Sequence, residues 1–355
     1  MKKIRVFEAF AGVGSQRMAL RNLGVNFEVV GIAEIDVDAI ISYGAIHYGE
    51  LNKDIENIEE ERQVLKDKNV GFDFKVGKSK LDRMKKDKLK YLINANKVSK
   101  NFGDISKINP NDLPDMDLFT YSFPCQDLSI AGKQAGLGEE TRSGLLYECE
   151  KVIEVKRPKY LLLENVKNLV GKKFKNDFDK WLEYLEGLGY KNHWKVLNAK
   201  DYGVPQNRER VFAVSILEEK EFEFEQPKEL KIRLKHLLEK NVDEKYYINK
   251  PFKLVDKKNV KAKLQIKGMD CIKRVYSRDG ISPTLTTMSG GNREPKILED
   301  YKIRKLTPLE CWRLMGFNDE DFYKASQYSS NSQLYKQAGN SIVVDVLESI
   351  FKNLF

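Results

Sequence analysis

Apolar positions early in the chain come in two rhythms, and each change of rhythm marks an element. "KIRVFEAF" is a short, almost unbroken apolar run and predicts a buried strand. "SQRMALRNLG" instead spaces its apolar residues three and four apart and closes on Gly24, as a helix does. The alternation then repeats. "FEVVGIAEI" predicts a second strand and "DVDAIISYGAIHYG" a second helix, while "MDLFTYSF" and "PKYLLLENV" are two more strand-length runs. Phe174, Phe178, Trp181, Leu182, Leu185 and Leu188 keep helical spacing, and "NHWKVLNA" and "RERVFAVSIL" predict closing strands. Strands alternating with helices imply an α/β fold, a mostly parallel sheet with helices on both faces.

Two segments break the rhythm. Residues 51–101 form a charged, helix-rich insertion. Residues 218–303 exchange the alternation for Lys-rich sequence with turn signals at "SRDGISPT" and "MSGGNREP". Helical patterning resumes at "TPLECWRLMGF" and continues into "NSIVVDVLESIFKNLF". The expected organisation is a main domain over 1–217, a small domain over 218–303, and a return to the main domain over 304–355.

Composition narrows the function classes. The 355 residues, 41% hydrophobic and 32% charged, suffice for one large core and a smaller one. No run approaches the ~18 apolar residues that span a membrane, and "MKKIRVFEAF" meets charge too early for a secretory signal. Cys125, Cys149, Cys271 and Cys311 lack C-x-x-C spacing, and His47, His193 and His236 are scattered. Neither a metal site nor a disulfide framework is expected, and the reduced cytoplasm is the expected compartment. The net charge of +9 is unevenly placed, with ten Lys or Arg between Lys75 and Lys100 against only Asp82 and Asp87. Such a segment suits a polyanionic partner through counterion release, and equally a solvated helix face.

Candidate chemistry gathers at the predicted strand ends, where open α/β sheets bind ligands. In "FEAFAGVGSQRMAL", Gly12 and Gly14 let the backbone approach a ligand while the helix start offers free N–H groups. Arg17 stands where a dinucleotide fingerprint needs a small residue, which argues against a nicotinamide oxidoreductase. Glu34 and Asp36 are placed to accept ribose hydroxyls, or merely to open a helix. Asp104, after a third strand-like approach, suits the base end of the same nucleoside-bearing cofactor. Farther along, "FPCQ", "ENV" and "QNRER" bring a thiol, a carboxylate and two guanidinium groups to strand ends. Pro124 fixes the backbone before Cys125, and "QDLSIAGKQAGLGEETRSG" behind it has the composition of a mobile loop. A nearby cation would raise the thiolate fraction, as a nucleophile requires. Cys149 and Cys311 lie in helix-like runs and are expected to be buried and inert; Trp312 and Phe317 are expected to be core or hinge packing.

These residues, in this order, resemble the DNA (cytosine-5) methyltransferases of bacteria and phages. The likeness covers nearly the whole chain through "FAGVGS", "EID", "GDI", "FPCQ", "ENV", "QNRER", "RKLTPLECWRLMGF" and "GNSIVVDV". It implies a Rossmann-like, S-adenosylmethionine-dependent fold with a seven-stranded sheet and a small target-recognition domain between "QNRER" and "LTPLE". It also implies that Cys125, Glu164, Arg208 and Arg210 are catalytic. Cys125 would attack carbon 6 of cytosine and Glu164 contact the N3/N4 edge, while the arginines hold the base oxygen, the phosphate backbone and the catalytic geometry. S-adenosylmethionine would lie on Phe10, Gly12, Gly14, Glu34, Ile35, Asp104, Ile105, Pro124, Asn340 and Ser341.

Contacts to duplex DNA would fall to Gln126, Ser129 and Gln206, and to Arg274, Arg278, Thr284, Thr286, Asn292 and Arg293, arginine being a guanine reader. The target base must leave the stack to be reached. The resemblance implies a monomer without metal or membrane, in a bacterial or phage-infected cell. A cognate restriction endonuclease would be a genetic rather than a physical neighbour. Three features depart from the pattern: Ser15 follows Gly14 where many relatives have a second glycine, Ile35 stands where an aromatic residue often meets the adenine, and the 51–101 insertion is long. A tRNA-methylating enzyme of the same fold would carry a cysteine-phenylalanine-threonine element, which this sequence lacks. A non-catalytic DNA-binding relative would have no need to keep Cys125, Glu164, Arg208 and Arg210 together.

Overall fold

The computed structural model describes residues 2–123, 144–255 and 257–355. They form two compact units, one of Met1–Leu197, Arg210–Phe224 and Ile350–Phe355, the other of Asn198–Glu209 and Glu225–Ser349. The first unit begins with β1 (Ile4–Ala9), α1 (Ser15–Asn22), β2 (Phe27–Ala33) and α2 (Val37–Tyr48). The insertion follows as α3 (Ile58–Asp67), the two-residue strands β3 (Phe72–Asp73) and β4 (Lys78–Ser79), and α4 (Lys86–Val98). Next come β5 (Leu118–Tyr121), α5 (Leu145–Lys156), β6 (Tyr160–Val166), α6 (Lys175–Gly187) and β7 (Lys191–Asn198). After β8 (Gln206–Asn207), which belongs to the second unit, β9 (Glu209–Ile216) closes the sheet.

The sheet order is β2-β1-β5-β6-β9-β7. Three pairings are parallel, and β9 runs antiparallel to β6. Six strands are present among the described residues where seven were expected. "FGDIS" is not a strand either: it meets the sheet through a single bridge, Asn101 to Ile32. Gly103 at φ +83° and Asp104 as a cap turn it into a short 3-10 helix, Ile105–Lys107.

Strand alternation decides what each face carries. Phe7, Phe119 and Leu161 stand in register across β1, β5 and β6, and share a buried face with Tyr121, Leu163 and Ala213. Helices α5 and α6 cover that face with Val152, Ile153, Phe178, Trp181 and Leu185. Each such side chain contributes about 1.5–3 kcal/mol on burial. One residue along, Glu8, Thr120 and Leu162 form the row on the opposite face, which Glu164 shares. The two buried acids of the central strands therefore lie away from the aromatic core.

The second unit holds a five-stranded sheet in the order β10-β11-β12-β14-β15. Its strands are β10 (Phe252–Leu254), β11 (Val260–Leu264), β12 (Arg274–Ser277, after the short α7, Asp270–Lys273), β14 (Lys296–Glu299) and β15 (Lys302–Lys305). Ala262, Leu264, Val275 and Ile303 fill its small core. Between β12 and β14, β13 (Ser282–Pro283) pairs with β8. The helices α8 (Pro308–Arg313), α9 (Asp319–Ser326) and α10 (Asn331–Asn340) follow, and α11 (Val344–Leu354) ends the chain. "TPLE" starts α8 with a capping box, Thr307 and Glu310 each bonding the other's backbone N–H, with Pro308 in the first turn. Trp312 is buried against Phe317 and donates to the Leu334 carbonyl, as core packing was expected to do.

The division by contacts differs from the boundaries expected at 217/218 and 303/304, since residues 304–349 group with the second unit. Long-range side-chain bonds explain this: Gln206 and Arg208 reach the backbone at Leu314, Gly339 and Ser341.

Candidate active site

At the end of β1 the chain turns sharply, with Phe10 and Gly12 both left-handed at φ 57°. Gly14 follows at φ +83°, and a Cβ there would sit 2.3 Å from Nε2 of His47 and 2.7 Å from the Tyr43 ring. Only glycine fits that position. The Gly12 N–H donates to Oε2 of Glu34 at 2.9 Å, while Oε1 of Glu34 accepts from the N–H groups of Ile35 and Asp36. Burial and the neighbouring Asp36 push the Glu34 carboxyl up from its ordinary pKa. Asp36 caps α2, the structural alternative raised for it from sequence. A carboxylate has about four acceptor sites, so Glu34 keeps acceptor capacity beyond these three bonds.

Several groups around this turn had no assigned role in the sequence. Glu8 is wholly buried, accepting from the Arg17 N–H at 3.0 Å and the Tyr43 hydroxyl at 2.5 Å. Burial pushes its carboxyl up, against the pull of Tyr43 and Arg17. The Arg17 guanidinium lies 4.3 Å from the Tyr48 ring centroid and donates to the His47 carbonyl, so α1 is anchored on α2 by the residue that spoils a dinucleotide fingerprint. Asn101 is equally buried. Its amide binds the N–H and the carbonyl of Glu34 and accepts from the Gly103 N–H, joining the Glu34 turn to the Asp104 turn. A lone acid in an apolar strand was the visible signal for Glu8; Asn101 gave none. Asp104 is 6% exposed and Ile105 buried, with Asp104 Oδ1 accepting from the Ser106 N–H and hydroxyl.

The acid and one arginine of the expected catalytic group meet. Because β9 is antiparallel to β6, its first residues lie beside the last residues of β6, and Glu164 stands opposite Phe212. Arg210, two residues before Phe212, shares its face, so the diagonal brings Nε of Arg210 to 3.2 Å from Oε1 of Glu164. Both side chains are largely buried, at 18% and 11% exposure. Next along β6, the Asn165 amide donates to the carbonyl of Phe123 at 3.2 Å, tethering the chain two residues before Cys125. Pro124, Cys125, Gln126 and Ser129 lie outside the described residues. Cys149 is fully buried with its thiol pKa pushed up by burial, and Cys311 likewise, as expected of inert thiols; Cys271 is exposed.

Arg208 meets backbone carbonyls. It is 3% exposed, donating Nη1 to the Leu285 carbonyl and Nη2 to the carbonyls of Gly339 and Ser341. These three bonds hold the surrounding backbone in place, which is one of the tasks expected of the two arginines. Gln206, expected to contact DNA, is fully buried, donating to the Leu314 carbonyl and accepting from the Leu285 N–H. Thr284 donates to the Asn207 carbonyl, and Thr286 is exposed with its carbonyl against Gly339, where a Cβ would sit 1.9 Å from that oxygen. Asn340 is exposed and Ser341 caps α10. Of the proposed base readers, Arg274 pairs with Asp270 and Arg278 with Glu299, while Asn292 and Arg293 are exposed at the turn before β14.

A parallel-centred sheet with a glycine turn, a carboxylate after the second strand and a buried acid–arginine pair places the chain among the α/β methyltransferases. Solved structures share that fold: S. pombe Dnmt2 methyltransferase (TM-score 0.66, 17% identity, covering 99% of this chain and 97% of that one), and a putative DNA modification methyltransferase encoded within an E. coli prophage (TM-score 0.59, 18% identity, 99% and 98%). The family model for C-5 cytosine-specific DNA methylase matches residues 66–355. Type II methyltransferase M2.ScrFI of Lactococcus lactis subsp. cremoris is 50% identical, covering 99% of both chains, and orphan methyltransferase M.SssI of Spiroplasma monobiae is 38% identical, covering 99% of this chain and 97% of its own. The chain belongs to the C-5 cytosine-specific DNA methylase family and is a DNA cytosine-5 methyltransferase. DNA is its substrate, and S-adenosylmethionine is the methyl donor this family implies. No helix among the described residues is long and apolar enough to cross a membrane.

Proposed function

We propose that this enzyme methylates carbon 5 of a flipped-out cytosine within a short duplex sequence, through a transient bond between Cys125 and carbon 6. The observation that carries the proposal is the Glu164–Arg210 pair across β6 and β9, with Asn165, next to Glu164, holding Phe123. Carbon 5 of cytosine is a weak nucleophile. Addition of the Cys125 thiolate at carbon 6 forms an S–C bond and moves the ring's electron pair to carbon 5, which can then take a methyl cation. Glu164 holds the N3/N4 edge and so favours the ring that accumulates charge, and Arg210 fixes Glu164 and reaches the base oxygen. Removal of the carbon 5 proton restores the double bond and expels the cysteine thiolate.

The residues of the β1 turn fit a nucleoside-bearing donor. Gly14 leaves no room for a side chain, and Glu34 and Asp104 keep acceptor capacity for hydroxyl and amino groups. Phe10, Gly12, Ile35 and Ile105 belong to the same proposed donor site, and the family resemblance adds Pro124, Asn340 and Ser341 to it. S-adenosylmethionine, when bound, supplies an electrophilic methyl on a sulfonium. Residues 218–303 are the proposed target-recognition domain, with Thr284, Thr286, Asn292 and Arg293 facing DNA and Gln126 and Ser129 contributing from the Cys125 segment. The names of the relatives, type II and orphan, support a restriction–modification or solitary modification role. Incubating random-sequence duplex DNA with enzyme and donor, then mapping 5-methylcytosine by bisulfite sequencing, tests this. One recurrent short sequence with modified cytosine is expected; unmodified DNA would end the proposal.

A further inference from the structure

The long insertion, which the sequence left between a polyanion-binding segment and a solvated helix face, reaches the proposed donor site at the turn after α3. Helix α3 ends in a paired-bond turn in which the Val70 N–H binds the Leu65 carbonyl and the Asn69 N–H the Lys66 carbonyl. This C-terminal motif needs a left-handed residue after the cap, and Asn69 supplies it at φ 55°. Glycine is the usual choice there; asparagine adds an amide. That amide donates from Nδ2 to Oδ2 of Asp104 at 2.9 Å. The amide nitrogen is the donor and the carboxylate oxygen the acceptor. Flanking backbone bonds fix the approach: the Asp104 N–H donates to the Lys68 carbonyl at 2.9 Å, and the Gly71 N–H to the Ile35 carbonyl at 2.8 Å. Lys68 donates to the Asn101 carbonyl at 2.8 Å. One turn of the insertion thus braces Asp104 and Ile35, the two groups proposed to hold the base of the donor.

Two lysines of the insertion are already paired within the chain, Lys88 with Asp38 and Lys90 with Asp54. From this we infer that Asn69 is a positioning residue for donor binding, orienting the Asp104 carboxylate so that Oδ2 keeps a lone pair for the exocyclic amino group of adenine. The inference rests on the proposed donor site.

Calorimetric titration with S-adenosylhomocysteine, and with its analogue lacking the adenine amino group, tests it. Asn69→Gly preserves the left-handed turn and removes the amide. It is expected to weaken S-adenosylhomocysteine binding about five- to tenfold, within the net value of a typical hydrogen bond. The kcat at saturating donor should stay unchanged, and the penalty should disappear with the amino-lacking analogue. Asn69→Asp, of equal size and set against Asp104, should show the same pattern if glycine loosens the turn. Equal penalties for both ligands would overturn the inference by marking a loosened fold. Unchanged binding by the Asn69 variants alongside weakened binding by Asp104→Asn would overturn it while leaving the donor site standing. Unchanged binding in all three would overturn the donor site as well.

Discussion

Arg208 and Arg210 stand two residues apart in one motif, and their guanidinium groups meet different kinds of partner. Arg210 lies within β9 and, through antiparallel register with β6, reaches the carboxylate of Glu164. Arg208 falls in the break between β8 and β9, where its own carbonyl accepts from the Ala199 N–H, and its side chain is enclosed by the carbonyls of Leu285, Gly339 and Ser341. Residue type and spacing make the two look equivalent. The interrupted strand turns one toward backbone carbonyls and leaves the other beside a buried acid.

The comparison breaks most visibly at Arg208. Replacing it with alanine leaves three buried carbonyls without their donor and should destabilise the protein by about 3–5 kcal/mol. Chemical denaturation would measure it, and Arg208→Lys should rescue little, since one ammonium lacks the planar fork that spans separated acceptors. A normal midpoint with lost catalysis would move Arg208 back into the chemistry. Glu164→Gln and Arg210→Gln should do the reverse, slowing single-turnover methyl transfer by about 10²–10³-fold with the melting temperature little changed. A large loss of stability with normal transfer would make that pair structural.

A smaller effect sharpens the contrast between acids with and without a cation. Burial, with Glu348 nearby, pushes the Asp345 carboxyl up to about 6 from 3.8. The folded state then holds that proton more tightly than the unfolded chain, so this group's contribution to stability falls as pH rises from about 4 to 6. Asp345→Asn should therefore raise stability at pH 7.5 by about 2–3 kcal/mol and change little near pH 4. An equal gain at both pH values would trace the effect to packing instead of charge.

Much of the first unit was legible because its strands and helices are long enough to show their periods. Every apolar run read there as a strand forms one. "FGDIS" misled because Phe102 and Ile105 resemble strand residues while Gly103 and Asp104 turn the chain. In the second unit strands of two to five residues give alternation too little length to appear. Glu164 and Arg210 were identifiable as a charged pair near strand ends. The bonds of Gln206 and Arg208 were not, because their partners are backbone groups as far as 133 residues away, with no side-chain signature. Asn69 and Asn101 were hidden for a related reason: asparagine in a turn reads as turn chemistry, and only the folded chain shows what its amide reaches.

Covalent trapping on a duplex carrying 5-fluorocytosine at the mapped target tests the central claim most directly. Fluorine cannot leave carbon 5 as a cation, so after methyl transfer the bond from carbon 6 to Cys125 should persist. Wild-type enzyme with S-adenosylmethionine should give a protein–DNA adduct that survives denaturation, and Cys125→Ala should give neither adduct nor methylated product on normal DNA. Methylated cytosine produced by Cys125→Ala would contradict the account.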